Sequence, residues 1–401
     1  MSFPIFCHVI SFVPDFYWTI RAANETIYIL KTFDMKTFAE RHHLVCLVIV
    51  CLFLGLFASP ARADQPVPPE FRAQFLKLCD AASAKLIAGT APGKGPFFVD
   101  SYAIRALCAA YDMTGNTNYL RACRIWSDRM VKFQDKMIPP GAYYMNYNRK
   151  PGQSGTNEWF AADSSSIGMA ILATAIRSPG AERQHLLDST KKFADLVIQN
   201  FVRPSGGVSD GLWAKSHNEW WCSSALFGSF VFNLYANTGD ERYLKAALGV
   251  TDWLNHWDLT KDQPFPLSQQ GPAMIMYVME NYSAGWPYIS RDSEREKAAQ
   301  AKVAWCFDWI AKQQQIPVEQ RHWSATVWWG TKFGGLPFHE YIFAAHPPGN
   351  GALTAAGDHE LQDLAPLVFT AKKPQMTQLS MFMMMSYAER LNPGAVYRSQ
   401  P

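Results

Sequence analysis

Aspartates set beside aromatic residues are the chemically most suggestive feature of this sequence. In NEWFAADSSS, Asp163 follows Trp159 and Phe160 and precedes three serines. Apolar neighbours disfavour the charged carboxylate and can keep it protonated, as a general acid requires. Aspartate ahead of a serine-rich helical stretch also reads as a helix cap, and both readings stay open. Asp100, in FFVDSY, has a comparable setting 63 residues earlier. Two carboxylates facing one cleft could divide acid and base roles, with Asp163 as the acid and Asp100 as its partner.

SHNEWW, residues 216–221, is the next richest cluster. His217 and Glu219 could move protons or hold hydroxyls, and Trp220 or Trp221 could form the floor of a binding site. Adjacent residues on a helix point in different directions, so one of these tryptophans belongs to the core. Glu219 equally suits a first helical turn, where the dipole favours a carboxylate. Trp159 joins this aromatic set. Arg321 and Trp323 form a further polar and aromatic opening, in which the arginine fork could grip a carboxylate or make only a local ion pair.

Other motifs carry less. His339, Glu340, His346, His359 and Glu360 fall late in the chain without the close histidine repeat of a helical metal site, so no metal and no organic cofactor is expected. SGGVSDG at 205–211 is glycine-rich but lacks a phosphate-binding lysine and a neighbouring strand, and reads as a loop. FMMM at 382–385 reads as adaptable core packing.

The elements that must position these residues are helices. YDMTGNTNYL at 111–120 returns as YANTGDERYL at 235–244, 124 residues later. Apolar residues recur every three or four positions on both sides of each copy, which predicts helices joined by a tight turn. Gly115 and Gly239 can end one helix in the left-handed conformation, and Asn116 and Asp240 can cap the next. A diverged copy runs from WFAADSSS through AERQHLLDSTKKFADL, and similar apolar openings give starts near 98, 161, 220, 268, 323 and 376. The first helix of each pair is apolar nearly all round and belongs inside; the second carries more charge and can cover it. EFRAQFLKLCDAASAKLIAG at 70–89 supplies one more outer helix, able to pair with the opening near Met376 and close a ring.

Six such pairs resemble the six-hairpin glycosidase-like superfamily, whose members are all-α (α/α)6 toroids, over residues 70–395. An open helical solenoid is the competing arrangement. In such a toroid, the loops entering the inner helices converge on one mouth, which is where Asp100, Asp163 and the aromatic openings fall. The two aspartates are also similar in arrangement to the pair of the unsaturated glucuronyl and rhamnogalacturonyl hydrolases. That resemblance implies Asp163 as proton donor and water activator and Asp100 as its support, although the flanking residues differ from that family's. The expectation is therefore a glycoside hydrolase acting on oligosaccharides, with uronic-acid-containing substrates as a narrower form. Two alternatives stay open. One is a polysaccharide lyase on the same toroid, with His217 or Tyr288 as base, and the other is a glycan-binding protein without catalysis.

Composition bounds the rest. The chain has 401 residues, 48% of them hydrophobic, and a formal charge of +3, with no basic run that would suit nucleic acid. Arg41, His42 and His43 precede LVCLVIVCLFLGLFA and SPARA, the pattern of a signal peptide over 35–63 cleaved after Ala63. Its 15 apolar residues fall short of the roughly 20 that span a bilayer, so no stable membrane anchor is expected after cleavage. Residues 1–34 read as a misassigned extension outside the fold, 64–69 as a linker and 396–401 as a tail. The expected location is periplasmic or extracellular. Cleavage would leave five cysteines, Cys79, Cys108, Cys123, Cys222 and Cys306, an odd set that cannot be fully paired within one chain.

Overall fold

The computed structural model describes residues 18–22, 25–29, 66–93, 97–144, 159–210, 219–258, 271–313, 350–369 and 374–392. The chain divides into two compact units, residues 1–63 and 64–401. In the first, β1 (Trp18–Ala22) pairs antiparallel with β2 (Glu25–Ile29). This hairpin lies in the stretch read as outside the fold; β-branched and aromatic residues in WTIRA and ETIYI supply the strand preference.

The second unit, as far as described, is helical. Its helices are α1 (Pro69–Ile87), α2 (Phe97–Thr114), α3 (Thr117–Gln134), α4 (Ala161–Ile176), α5 (Gly180–Asn200), α6 (Trp221–Thr238), α7 (Glu241–His256), α8 (Gly271–Ile289), α9 (Ser293–Gln313), α10 (Asn350–Val368) and α11 (Gln378–Leu391). The expected inner openings at 98, 161, 220, 268 and 376 correspond to α2, α4, α6, α8 and α11. The opening near Trp323 lies outside the described residues.

Packing follows the apolar pattern. Along one arc α2 packs on α4, α4 on α6 and α6 on α8, while α11 packs on the other side of α2. Neighbouring inner helices run parallel: Tyr102 meets Ser166 and Arg105 meets Met169 between α2 and α4, and Met169 meets Ser229 between α4 and α6. Gly168 sits against the Phe230 ring, where an added Cβ would lie 3.0 Å from it. Each inner helix is backed by the outer helix that follows it, as α3 backs α2 and α7 backs α6, and α1 backs α11. Tyr387 of α11 donates to Gln74 of α1 at 2.6 Å, and Arg390 binds Asp358 of α10 at 2.8 and 3.0 Å. The arrangement is that of an all-α toroid, with α1 joined to α11 as the sequence implied. Met381 to Met385 are buried, as core packing requires.

The repeated decapeptide has one structure in both copies. Gly115 and Gly239 sit at φ 69° and 68°, ending α2 and α6 in the left-handed region. Asn116 then accepts from the Asn118 amide at 3.1 Å and Asp240 from the Arg242 amide at 3.0 Å, capping α3 and α7. The motif tyrosines reach further: Tyr119 donates to Asp80 of α1 at 2.7 Å, and Tyr243 to Asp195 of α5 at 3.2 Å. Each copy therefore turns the chain and also ties its outer helix to the preceding one.

Candidate active site

The inner helices start on one face of the ring, and their side chains fill the interior in layers. Deepest lies an ion pair in which Arg105 of α2 donates to Glu280 of α8 at 2.5 Å, beside Met169. The Arg105 guanidinium also covers the Tyr102 ring at 4.5 Å. One turn nearer the helix starts lie Tyr102, Ser166, Tyr277 and Phe382, with the Tyr102 and Phe382 ring centres 4.3 Å apart. Burial pushes the Tyr102 and Tyr277 hydroxyls well above their ordinary values, so both are neutral donors. Glu280 is buried, and its Oε2 has no hydrogen-bond partner.

Nearest the opening lies Asp163. It is the only residue of α4 that is not buried. On a helix otherwise enclosed all round, that partly exposed position lies in the first turn. Cys222, in the first turn of α6, is buried, and its thiol is raised well above its usual value by burial and then by the charges of Asp163 and Asp210. The two carboxylates thus share the neighbourhood at the top of α4 and α6.

Asp210 is held there by a loop built from close contacts. Val202 bridges Val208, and Ser209 bridges Glu219, leading the chain back to α6. Gly206 sits at φ 98°, and a Cβ there would overlap the Gly249 carbonyl oxygen. A Cβ on Gly207 would come within 2.6 Å of the Trp253 ring and 2.9 Å of the Glu219 carboxyl. Glu219 accepts from Trp253 Nε1 at 3.0 Å and from the Ser205 hydroxyl, clamping both ends of the turn. At the loop's end, the Asp210 carbonyl accepts from the Ala161 amide at 2.8 Å, and its carboxylate from the Ser223 hydroxyl at 3.4 Å. Burial nevertheless prevails over that hydrogen bond and pushes the Asp210 carboxyl up to about 6. A carboxyl poised there can be protonated in mildly acidic surroundings and lose its proton again.

The residues singled out from sequence fall into three groups. Asp163 is half-buried in the first turn of α4, and Trp220 is half-buried at the N-cap of α6. Asp100, Trp159 and Trp221 have no exposed area. Asp100 accepts from Trp126 Nε1 of the outer helix α3 at 3.4 Å, and Trp159 packs edge-on against Phe201. Glu219 is the loop clamp just described. His217, Arg321 and Trp323 lie outside the described residues. Tyr288 packs on Phe232 and Tyr235 at the C-terminal end of α8, away from the mouth. Among the described residues, no group of three or more His, Cys, Asp or Glu side chains could hold a metal ion, and no helix is long and apolar enough to cross a membrane.

Asp210 lies in SGGVSDG, a stretch whose sequence reads as a plain loop. The available signal was an aspartate closing a glycine-tight turn ahead of an aromatic helix start.

No protein-family model and no curated protein matches the chain. Two solved structures of inactive variants of alpha-1,6-mannanase GH76A from Salegentibacter sp. HEL1_6 are similar. One, in complex with alpha-1,6-mannotetrose, has 13% identity and a TM-score of 0.41. The other, in complex with alpha-1,6-mannotriose, has 12% identity and a TM-score of 0.39. Each alignment covers 73% of this chain and 75% of the other. In this chain, parallel inner helices are each packed against an outer one.

Proposed function

We propose that the protein is an exported glycoside hydrolase that cleaves oligosaccharides at the mouth of the ring, with Asp210 as general acid and Asp163 as the carboxylate that activates water. The observation that carries this reading is the pairing of a carboxyl raised by burial, Asp210, with a solvent-reaching one, Asp163, around the same buried Cys222. Asp210 gives its proton to the glycosidic oxygen as the bond to the anomeric carbon breaks. Asp163 takes a proton from the water that attacks that carbon, so the site returns to its starting state once the two carboxyls re-equilibrate with solvent. The half-buried Trp220 supplies aromatic surface for a sugar ring, while Tyr102 and Tyr277 are buried and support the site from within. No organic cofactor enters the scheme. Asp100, enclosed beside Trp126, supports α2 rather than facing substrate. Export to the periplasm or beyond rests on the charged, apolar and small-residue succession of residues 35–63.

Turnover of a panel of neutral and uronic-acid-containing oligosaccharides, including unsaturated uronides, tests the proposal. The purified protein should release products from at least one member. Asp210→Asn and Asp163→Asn should each reduce kcat by about 100-fold or more while binding persists. Full activity in either variant removes that residue from the mechanism, and unsaturated products from a saturated substrate would establish a lyase instead.

A further inference from the structure

Two buried thiols lie outside the chemistry of the mouth. Cys108 of α2 and Cys123 of α3 face each other across the first helical hairpin, with their sulfurs 3.7 Å apart. Neither has any exposed area. The Cys123 sulfur also lies 3.4 Å from the Ile104 carbonyl oxygen, and Cys108 lies 4.0 Å from the Thr174 hydroxyl. The two residues are 15 positions apart, joined by the Gly115 turn. We propose that Cys108 and Cys123 are a disulfide site, closed by oxidation during folding and locking the inner helix that bears Asp100, Tyr102 and Arg105 to its outer partner.

Geometry favours this pair over the other cysteines. The sulfurs are already in contact at 3.7 Å, whereas a disulfide holds them at about 2.05 Å. Cys79 of α1 is near enough for its charge to act on Cys123, but it belongs to a different hairpin. It can approach only after α1 has packed, whereas the short hairpin loop closes early. The thiols differ in character as well. Burial raises Cys123 well above the ordinary thiol range. At Cys108 burial also acts upward, but the hydrogen bond with Cys123 and the charge of Arg177 outweigh it, and the thiol lies below its ordinary value.

The oxidant is a disulfide, either of glutathione or of a thiol oxidoreductase. The Cys108 thiolate attacks one of its sulfurs, breaking that bond and releasing one thiol. The Cys123 thiolate then attacks Cys108 Sγ in the mixed disulfide and releases the second. Two protein thiols lose two electrons and two protons, and one oxidant disulfide becomes two thiols.

The test is to reduce and unfold the full-length protein, refold it in mixed reduced and oxidised glutathione, block remaining thiols with an alkylating reagent and digest with trypsin. Cleavage after Arg105, Arg121 and Arg124 places Cys108 in peptide 106–121 and Cys123 in peptide 122–124. These two peptides should appear linked, and separate on reduction. Reductant should lower the Tm of the oxidised protein and leave that of Cys123→Ala unchanged. Alkylation of both cysteines in the refolded protein overturns the proposal, as does a link from Cys123 to the Cys79 peptide. Because the oxidant is supplied in the tube, the outcome is independent of whether the chain is exported or cleaves glycans.

Discussion

Asp210 ties the chemistry of the mouth to a measurable pH dependence. Its carboxyl binds a proton more tightly in the folded chain, at about 6, than in the unfolded one, near ~4. The stability from that preference is complete below the unfolded value and is lost as pH rises through the folded one. Asp210→Asn removes this slope. Between about pH 4 and 7 the native protein should lose roughly 1–2 kcal/mol relative to the variant, after allowance for partial solvent screening. Denaturant unfolding of both proteins across that interval measures the difference, and parallel curves would mean that Asp210 titrates as an ordinary carboxylate. Turnover should decline over the same upper range, because the acid must carry its proton. Asp100 gives the contrasting case: Asp100→Asn should cost about 1–2 kcal/mol of stability, with kcat retained within a few-fold. Both aspartates stand beside aromatic residues in the sequence. Only the structure shows that one aspartate faces outward-lying α3 through Trp126, while Asp163 alone on α4 reaches solvent.

The helical hairpin is the element most directly legible in the chain. A glycine that stops one helix, a polar cap that starts the next and apolar residues every three or four positions are local signals, and Gly115, Asn116, Gly239 and Asp240 behave as those signals predict. The bonds from Tyr119 to Asp80 and from Tyr243 to Asp195 were not legible, because each partner lies on the preceding outer helix. The loop carrying Asp210 shows the same limit more sharply. Its shape depends on Gly249 and Trp253, more than 40 residues beyond Gly206, and no local pattern in SGGVSDG announces them. Two glycine substitutions separate these situations. Gly239→Ala meets nothing within 4 Å and bears only the left-handed backbone strain, about 1 kcal/mol, with activity unchanged. Gly206→Ala combines that strain with overlap on the Gly249 carbonyl, so it should cost roughly 1–3 kcal/mol and also displace Asp210, reducing kcat. Thermal melts and turnover of the two variants decide the matter; equal activity in both would mean that the loop does not position the acid.

At the scale of the whole ring, the interior is closed by charge as well as by apolar packing. Arg105 and Glu280 belong to α2 and α8, which are separated along one arc by α4 and α6, so their ion pair spans the interior instead of joining neighbours. Their meeting was not legible in the sequence, since Arg105 is one of three charges on α2 and Glu280 the one charge on α8, and the contact joins residues 175 positions apart. An ion pair removed from water gains little net stability over apolar packing, but losing one partner strands the other charge. Glu280→Ala, which leaves the Arg105 guanidinium without its carboxylate, should therefore destabilise the protein by about 3–5 kcal/mol. Combining Arg105→Met with Glu280→Leu removes both charges at similar volume and should recover most of that loss. A double-mutant cycle in denaturant gives the coupling directly. Strong coupling would identify the pair as a specific tie between α2 and α8, fixing the level of the buried Tyr102 and Tyr277 one turn nearer the helix starts. Additive effects would mean that ring closure is carried by the helix packing alone, with Arg105 and Glu280 each satisfied by its own surroundings.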